Sequence, residues 1–126
     1  MRLKHLLVRR FFLGFTLDGT LKIIDFGLAR IVEDAHPDSD DLYEMSGETG
    51  SLRYMAPEVA AAMPYNHKAD VYSFGMILWE IFHFVKPFEG MDREAFYDQV
   101  VHGGERPEMG KKVPPDMAVL IQRCWR

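Results

Sequence analysis

Two apolar runs, 12–17 and 20–24, stand on either side of Asp18-Gly19. Asp-Gly between such runs predicts a β-hairpin, because both central turn positions then favour positive φ. The second run ends in Asp25-Phe26-Gly27, where glycine allows a sharp turn. Across residues 33–48 the apolar pattern fades and acids outnumber apolar anchors, which predicts an exposed loop. Pro57 suits the first turn of a short helix over 58–62, stopped by Pro64.

The longest periodic stretch is 70–85, with Asp70 as the expected N-cap. Val71, Phe74, Leu78, Ile81, Phe82 and Val85 share one face, and Tyr72, Met76, Ile77 and Trp79 lie on the other. A helix apolar nearly all round belongs inside a domain, with layers packed on both sides. Asp92 caps a shorter predicted helix over 93–102, with Phe96 and Val100 one turn apart and Gly103-Gly104 at its end. Pro114-Pro115 starts a last helix, carrying Leu120, Ile121, Cys124 and Trp125 and expected to run to Arg126. The elements add up to a mainly α fold with a small β-hairpin.

Composition narrows the function classes. The 126 residues are 48% apolar and 27% charged, which describes a single ordinary globular domain. A net charge of −4 gives no general nucleic-acid surface. The lone Cys124 makes no internal disulfide, and no Cys/His spacing resembles a zinc site. A cytoplasmic or otherwise intracellular setting is expected. The first residues are basic, with no acid before Asp18, as in a transit peptide. Arg9-Arg10 cuts the apolar run 6–8, which is too short to cross a membrane.

The candidate chemistry lies between two triplets. Asp25-Phe26-Gly27 precedes the acidic loop, and Ala56-Pro57-Glu58 follows it. Ser46, Thr49 and Ser51 supply hydroxyls in between. A phosphate on such a hydroxyl adds up to about two negative charges, which order a loop when arginines are near. A solvated loop is the plainer reading of the same composition.

With the order hairpin, D-F-G, polar loop, A-P-E, buried helix and amphipathic helices, the chain resembles the C-terminal lobe of a eukaryotic protein kinase, an α+β fold, over residues 12–126. The stretches 21–30 and 70–80 look like family sequence almost throughout, and Val113-Pro114-Pro115 and Cys124-Trp125 fit the region beyond. Gly50-Ser51 ahead of Tyr54 resembles the serine/threonine type, in the tyrosine-kinase-like group.

The resemblance implies roles. Asp25 would ligate Mg²⁺ bridging the phosphates of ATP, with Phe26 and Gly27 beside it. Phe26 would pack to set active and inactive states. Ser46 and Thr49 would be activating phosphosites for an upstream kinase, and Ser51 would face a protein substrate. Glu58 would anchor the segment by pairing with an arginine expected just past Arg126, and Asp70 would brace the catalytic loop.

The pattern departs from the family upstream of about residue 13. No Gly-rich loop, ATP-binding lysine or αC glutamate precedes Asp25 within the chain. Counting back from Gly14-Phe15 sets His5 and Leu6 at the histidine and arginine of the catalytic H-R-D-x-x-x-x-N loop, Leu7 at its aspartate and Phe12 at its metal-binding asparagine. Leucine accepts no proton from a substrate hydroxyl, and phenylalanine ligates no metal. Residues 1–11 are therefore expected to be an atypical basic stretch from a misjoined exon or truncated gene, with a catalytically dead product as the alternative. Two readings follow: an inactive piece of an active serine/threonine kinase, or a pseudokinase-like protein-binding module. A structural helical domain with accidental motifs accounts poorly for two ordered motifs.

Overall fold

The structure is a computed structural model that describes residues 5–7, 12–24, 26–27, 29–32 and 51–126. Strands β2 (Phe12–Phe15) and β3 (Leu21–Ile24) pair antiparallel, with Phe15 opposite Leu21. The turn differs from the expected two-residue form. The Thr16 amide donates to the Thr20 carbonyl, and the Gly19 amide donates to the Thr16 carbonyl. This is a type I turn followed by one left-handed residue, Gly19 at φ 80°, and Asp18 keeps a negative φ. The Asp18 side chain instead ties the loop by accepting from the Thr16 hydroxyl and the Thr20 amide.

A second antiparallel pair, β1 (His5–Leu7) with β4 (Arg30–Val32), has no counterpart in the expected elements. Its strands are three residues each and lack period-2 alternation, so only the pairing reveals them.

The helical part begins with a 3₁₀ turn, Leu52–Tyr54, and α1, Pro57–Ala60. Ala62 rather than Pro64 closes α1. It sits at φ 53° while the Met63 amide reaches back to the Glu58 carbonyl, the pattern of a Schellman cap.

Helix α2 runs Lys68–His83. It starts two residues before the expected Asp70 cap, because the Asn66 side chain accepts the Lys68 amide at 3.0 Å. Asp70 is thus a first-turn residue. The helix also buries one side rather than two. Ala69, Tyr72, Ser73, Met76 and Trp79 are buried, whereas Val71, Phe74 and Ile81 stay 43–53% exposed, as does Val85 just past the helix end.

Asp92 caps α3 (Arg93–Ala95) as expected, accepting the Ala95 amide at 2.8 Å. The helix then widens into a π-helical stretch, Phe96–His102, with Phe96 and Val100 buried. Helix α4 runs Pro115–Cys124 and ends there, so Trp125 is its cap and not an interior residue. Met55, Ala56, Val59, Tyr65, Tyr72, Met76, Phe96 and Val100 form the main core. Trp79, Val113 and Ile121 form a second, smaller cluster where α2 meets α4. That crossing is close: a Cβ on Gly75 would lie 2.6 Å from the Cys124 Cβ.

Candidate functional site

Residues 51–58 form a rigid shelf on α2. Ser51 is exposed at its edge, and its carbonyl accepts the Tyr54 amide to start the 3₁₀ turn. Met55 and Ala56 are buried at 7% and 1% exposure, anchoring the shelf by apolar area.

Three polar contacts hold it from outside. The Tyr54 hydroxyl donates to Glu80 Oε2 at 2.6 Å. The Ser73 hydroxyl, buried in α2, lies 2.8 Å from the Tyr54 carbonyl and 3.1 Å from that of Ala69. Arg53 Nη1 donates to the Pro87 carbonyl at 3.2 Å, joining the shelf to the segment after α2. Charge-assisted bonds such as Tyr54–Glu80 are stronger than neutral ones. From below, the Tyr97 hydroxyl donates to the Ala60 carbonyl at 2.9 Å. The shelf can therefore present its exposed edge at a set height and angle above α2.

Two tyrosines are tuned by this packing. Burial first, then the hydrogen bond to Glu80 and that carboxylate's charge, pushes the Tyr54 hydroxyl up to about 12. Burial also pushes the Tyr72 hydroxyl up, with nearby Arg106 opposing and Glu58 reinforcing. The Arg106 guanidinium lies over the Tyr72 ring, 5.1 Å from its centroid. Burial raises the Cys124 thiol as well, which makes it a packing residue rather than a nucleophile.

The residues singled out from the sequence are only partly brought together. Ser51 and Glu58 both belong to the shelf, Glu58 in the first turn of α1. Among the described residues Glu58 makes no ion pair. Asp70, beneath the shelf, shares the lining of a small cavity with Met55, Ala56, Val59, Tyr65, Ala69 and Ser73. Phe26 is half exposed and Gly27 lies in a turn closed by the Ala29 amide on the Phe26 carbonyl. Leu7 lies in β1, opposite Arg30 of β4. Asp25, Ser46 and Thr49 fall outside the described residues.

Tyr54, Ser73 and Glu80 were missed as members of this site. A signal existed for two of them: Ser73 and Glu80 are polar positions inside an apolar helix, and a buried polar group needs a partner. Among the described residues no group of three or more His, Cys, Asp or Glu could hold a metal, and no helix is long and apolar enough to cross a membrane.

Comparison with known proteins agrees with this architecture. The family model described as protein tyrosine and serine/threonine kinase matches residues 2–126. The serine/threonine-protein kinase VIK of Arabidopsis thaliana is 43% identical over 108 residues, covering 83% of this chain and 24% of VIK. The serine/threonine-protein kinase STY46 of the same plant is 40% identical over 105 residues, 83% of this chain and 17% of STY46. Mitogen-activated protein kinase kinase kinase 7 of Bos taurus is 40% identical over 106 residues, again 83% of this chain and 17% of that protein. The chain thus spans a quarter or less of the length of these relatives. With a shelf ending in Ala56-Pro57-Glu58 bolted to a central helix, and the family match over nearly all its length, the chain belongs to the protein tyrosine and serine/threonine kinase family.

Proposed function

We propose that residues 12–126 are part of the C-terminal lobe of a serine/threonine kinase catalytic domain, with the activation segment between Asp25 and Glu58. In the whole protein this domain would transfer phosphate from ATP to protein hydroxyls. The observation that carries the reading is the shelf 51–58, held to α2 through Tyr54–Glu80 and Ser73 with Ser51 exposed at its edge. A protein substrate would meet that edge, and Ser46 and Thr49 would take the phosphates of an upstream kinase.

The donor set does not fit Mg²⁺–ATP. Asp25 is one carboxylate, Phe12 stands at the position of the second metal ligand, and Leu7 stands at that of the catalytic base. Neither side chain coordinates a metal or accepts a proton, so no step of the transfer is assigned to this chain's residues. By the count back from Gly14-Phe15, residues 1–11 remain an atypical basic stretch, although the family model's match already begins at residue 2.

The purified 126-residue chain is expected to transfer no radiolabelled phosphate from ATP to a generic protein substrate above a no-protein blank. Transfer that survives further purification would overturn the assignment of Leu7 and Phe12. A pseudokinase-like module that docks a partner is the second reading, favoured by the exposed apolar residues Val71, Phe74 and Ile81 of α2 and Val85 just beyond it. A transcript carrying H-R-D-x-x-x-x-N in frame with Gly14 would favour the first reading over it.

A further inference from the structure

His83 is the last residue of α2, and both of its ring nitrogens are engaged. Nδ1 lies 2.7 Å from the Trp79 carbonyl oxygen one turn earlier, and the Gly110 amide donates to Nε2 at 2.8 Å. A backbone N–H only donates, so Nε2 carries a lone pair, and the ring proton sits on Nδ1 and is donated to Trp79. Both bonds coexist only in the neutral imidazole. The approach is tight: a Cβ on Gly110 would stand 2.8 Å from Nε2, so only glycine brings the backbone this near.

The same ring stacks on the Trp79 indole, with centroids 4.0 Å apart and 12° between planes. The indole Nε1 in turn donates to the Glu108 carbonyl at 3.0 Å. Loop 105–112 is thus joined to α2 at two adjacent points. It also carries Arg106, which covers Tyr72 and donates to the Trp125 carbonyl at 3.4 Å.

A second proton on His83 changes these contacts in opposite directions. It puts a donor on Nε2 facing the Gly110 donor, which removes that bond and sets two N–H groups against each other. It strengthens the stack, because an imidazolium over an indole face gains cation–π attraction. The ring therefore stays on Trp79 while the loop loses its hold. We propose that His83 is a proton-operated latch, closing loop 105–112 onto α2 when neutral and releasing it at Gly110 when cationic.

The charged residues carried by the packed elements are Lys68, Asp70 and Glu80 on α2, Lys86 just after it, Glu105, Arg106, Glu108, Lys111 and Lys112 on the loop, and Asp116 and Arg123 on α4. Carboxylates and amines as classes keep their charge between about pH 5 and 8, and imidazole as a class changes there.

The test is nuclear magnetic resonance on the full 126-residue chain between about pH 8 and pH 5, following the His83 ring carbons and the Gly110 amide together. The Gly110 hydrogen-exchange protection factor is expected to fall about tenfold, the equivalent of one hydrogen bond, with the same midpoint as the His83 ring shift. The Trp79 indole N–H should stay protected over that range. Replacing the ring by a non-titrating amide in His83→Gln should abolish the pH dependence, and His102→Gln should keep it. A Gly110 protection factor that stays constant while the His83 ring titrates would overturn the proposal. So would a His83 ring that takes up no proton by about pH 5.

Discussion

At the scale of single residues, the informative positions are polar groups set into an apolar helix. Ser73, Glu80 and His83 interrupt the hydrophobic run of α2, and each faces a specific partner: the Tyr54 carbonyl, the Tyr54 hydroxyl and the Gly110 amide. The residue types were legible in the sequence, but the partners were not. They lie 19 to 27 positions away, beyond the reach of any local pattern. Tyr54 carries the clearest consequence. Its folded-state value is raised from 10.0 to about 12, so the fold favours the neutral phenol. Its contribution is complete below pH 10 and is lost as pH rises towards about 12. Tyr54→Phe is expected to lower stability by about 1–2 kcal/mol near neutral pH, from the lost hydrogen bond to a charged acceptor. The variant should also lose less stability than the parent on going to about pH 11, as thermal melts at the two pH values would reveal. Equal losses for both proteins would refute the account.

At the scale of elements, caps and turns were read mostly from local chemistry, and that reading held where one residue decides the geometry. Asp92 caps α3 because a carboxylate before a helix takes up an orphan amide, whatever the rest of the fold does. Asp70 failed as a cap because the helix begins before it, with His67 at the N-cap and the Asn66 side chain accepting the Lys68 amide. The far end of α2 stores strain. Phe84 sits in the left-handed region at φ 57° with 91% of its surface exposed, so it gains no burial for adopting that conformation. Phe84→Gly is expected to raise stability by up to about 1 kcal/mol, the cost of a side chain in that region less the entropy of the freer unfolded chain. Denaturant midpoints would measure it, and a lowered midpoint would count against the strain. The middle of α2 predicts the opposite sign. Gly75 faces Cys124 at a distance that admits no Cβ, so Gly75→Ala is expected to cost about 1–3 kcal/mol by forcing α2 and α4 apart. An unchanged midpoint would show that the crossing yields freely.

At the scale of the whole molecule, the helical layer is built around α2, whose buried side meets both the 51–58 shelf and α4. The absence of phosphoryl transfer expected of this chain belongs at this scale, because it depends on which residue types can be gathered about Asp25. Family membership, the order of the elements, the hairpin and the helix starts at Pro57, Asp92 and Pro115 were decided by the chain's local signals: 3.6-residue periodicity, proline and glycine punctuation, capping side chains and two triplets in fixed order. These act over a few residues and are written directly in the chain. Three things were decided only by tertiary structure. Strands β1 and β4 form because they find each other across more than twenty residues, with no pattern of their own. An all-round apolar helix has no preferred face, so burial of Tyr72, Met76 and Trp79 rather than Val71, Phe74 and Ile81 was settled by what packed against it. The shelf and the His83–Gly110 contact arise the same way, from polar groups that cost free energy when buried alone and so take whichever partner the packed chain brings within reach.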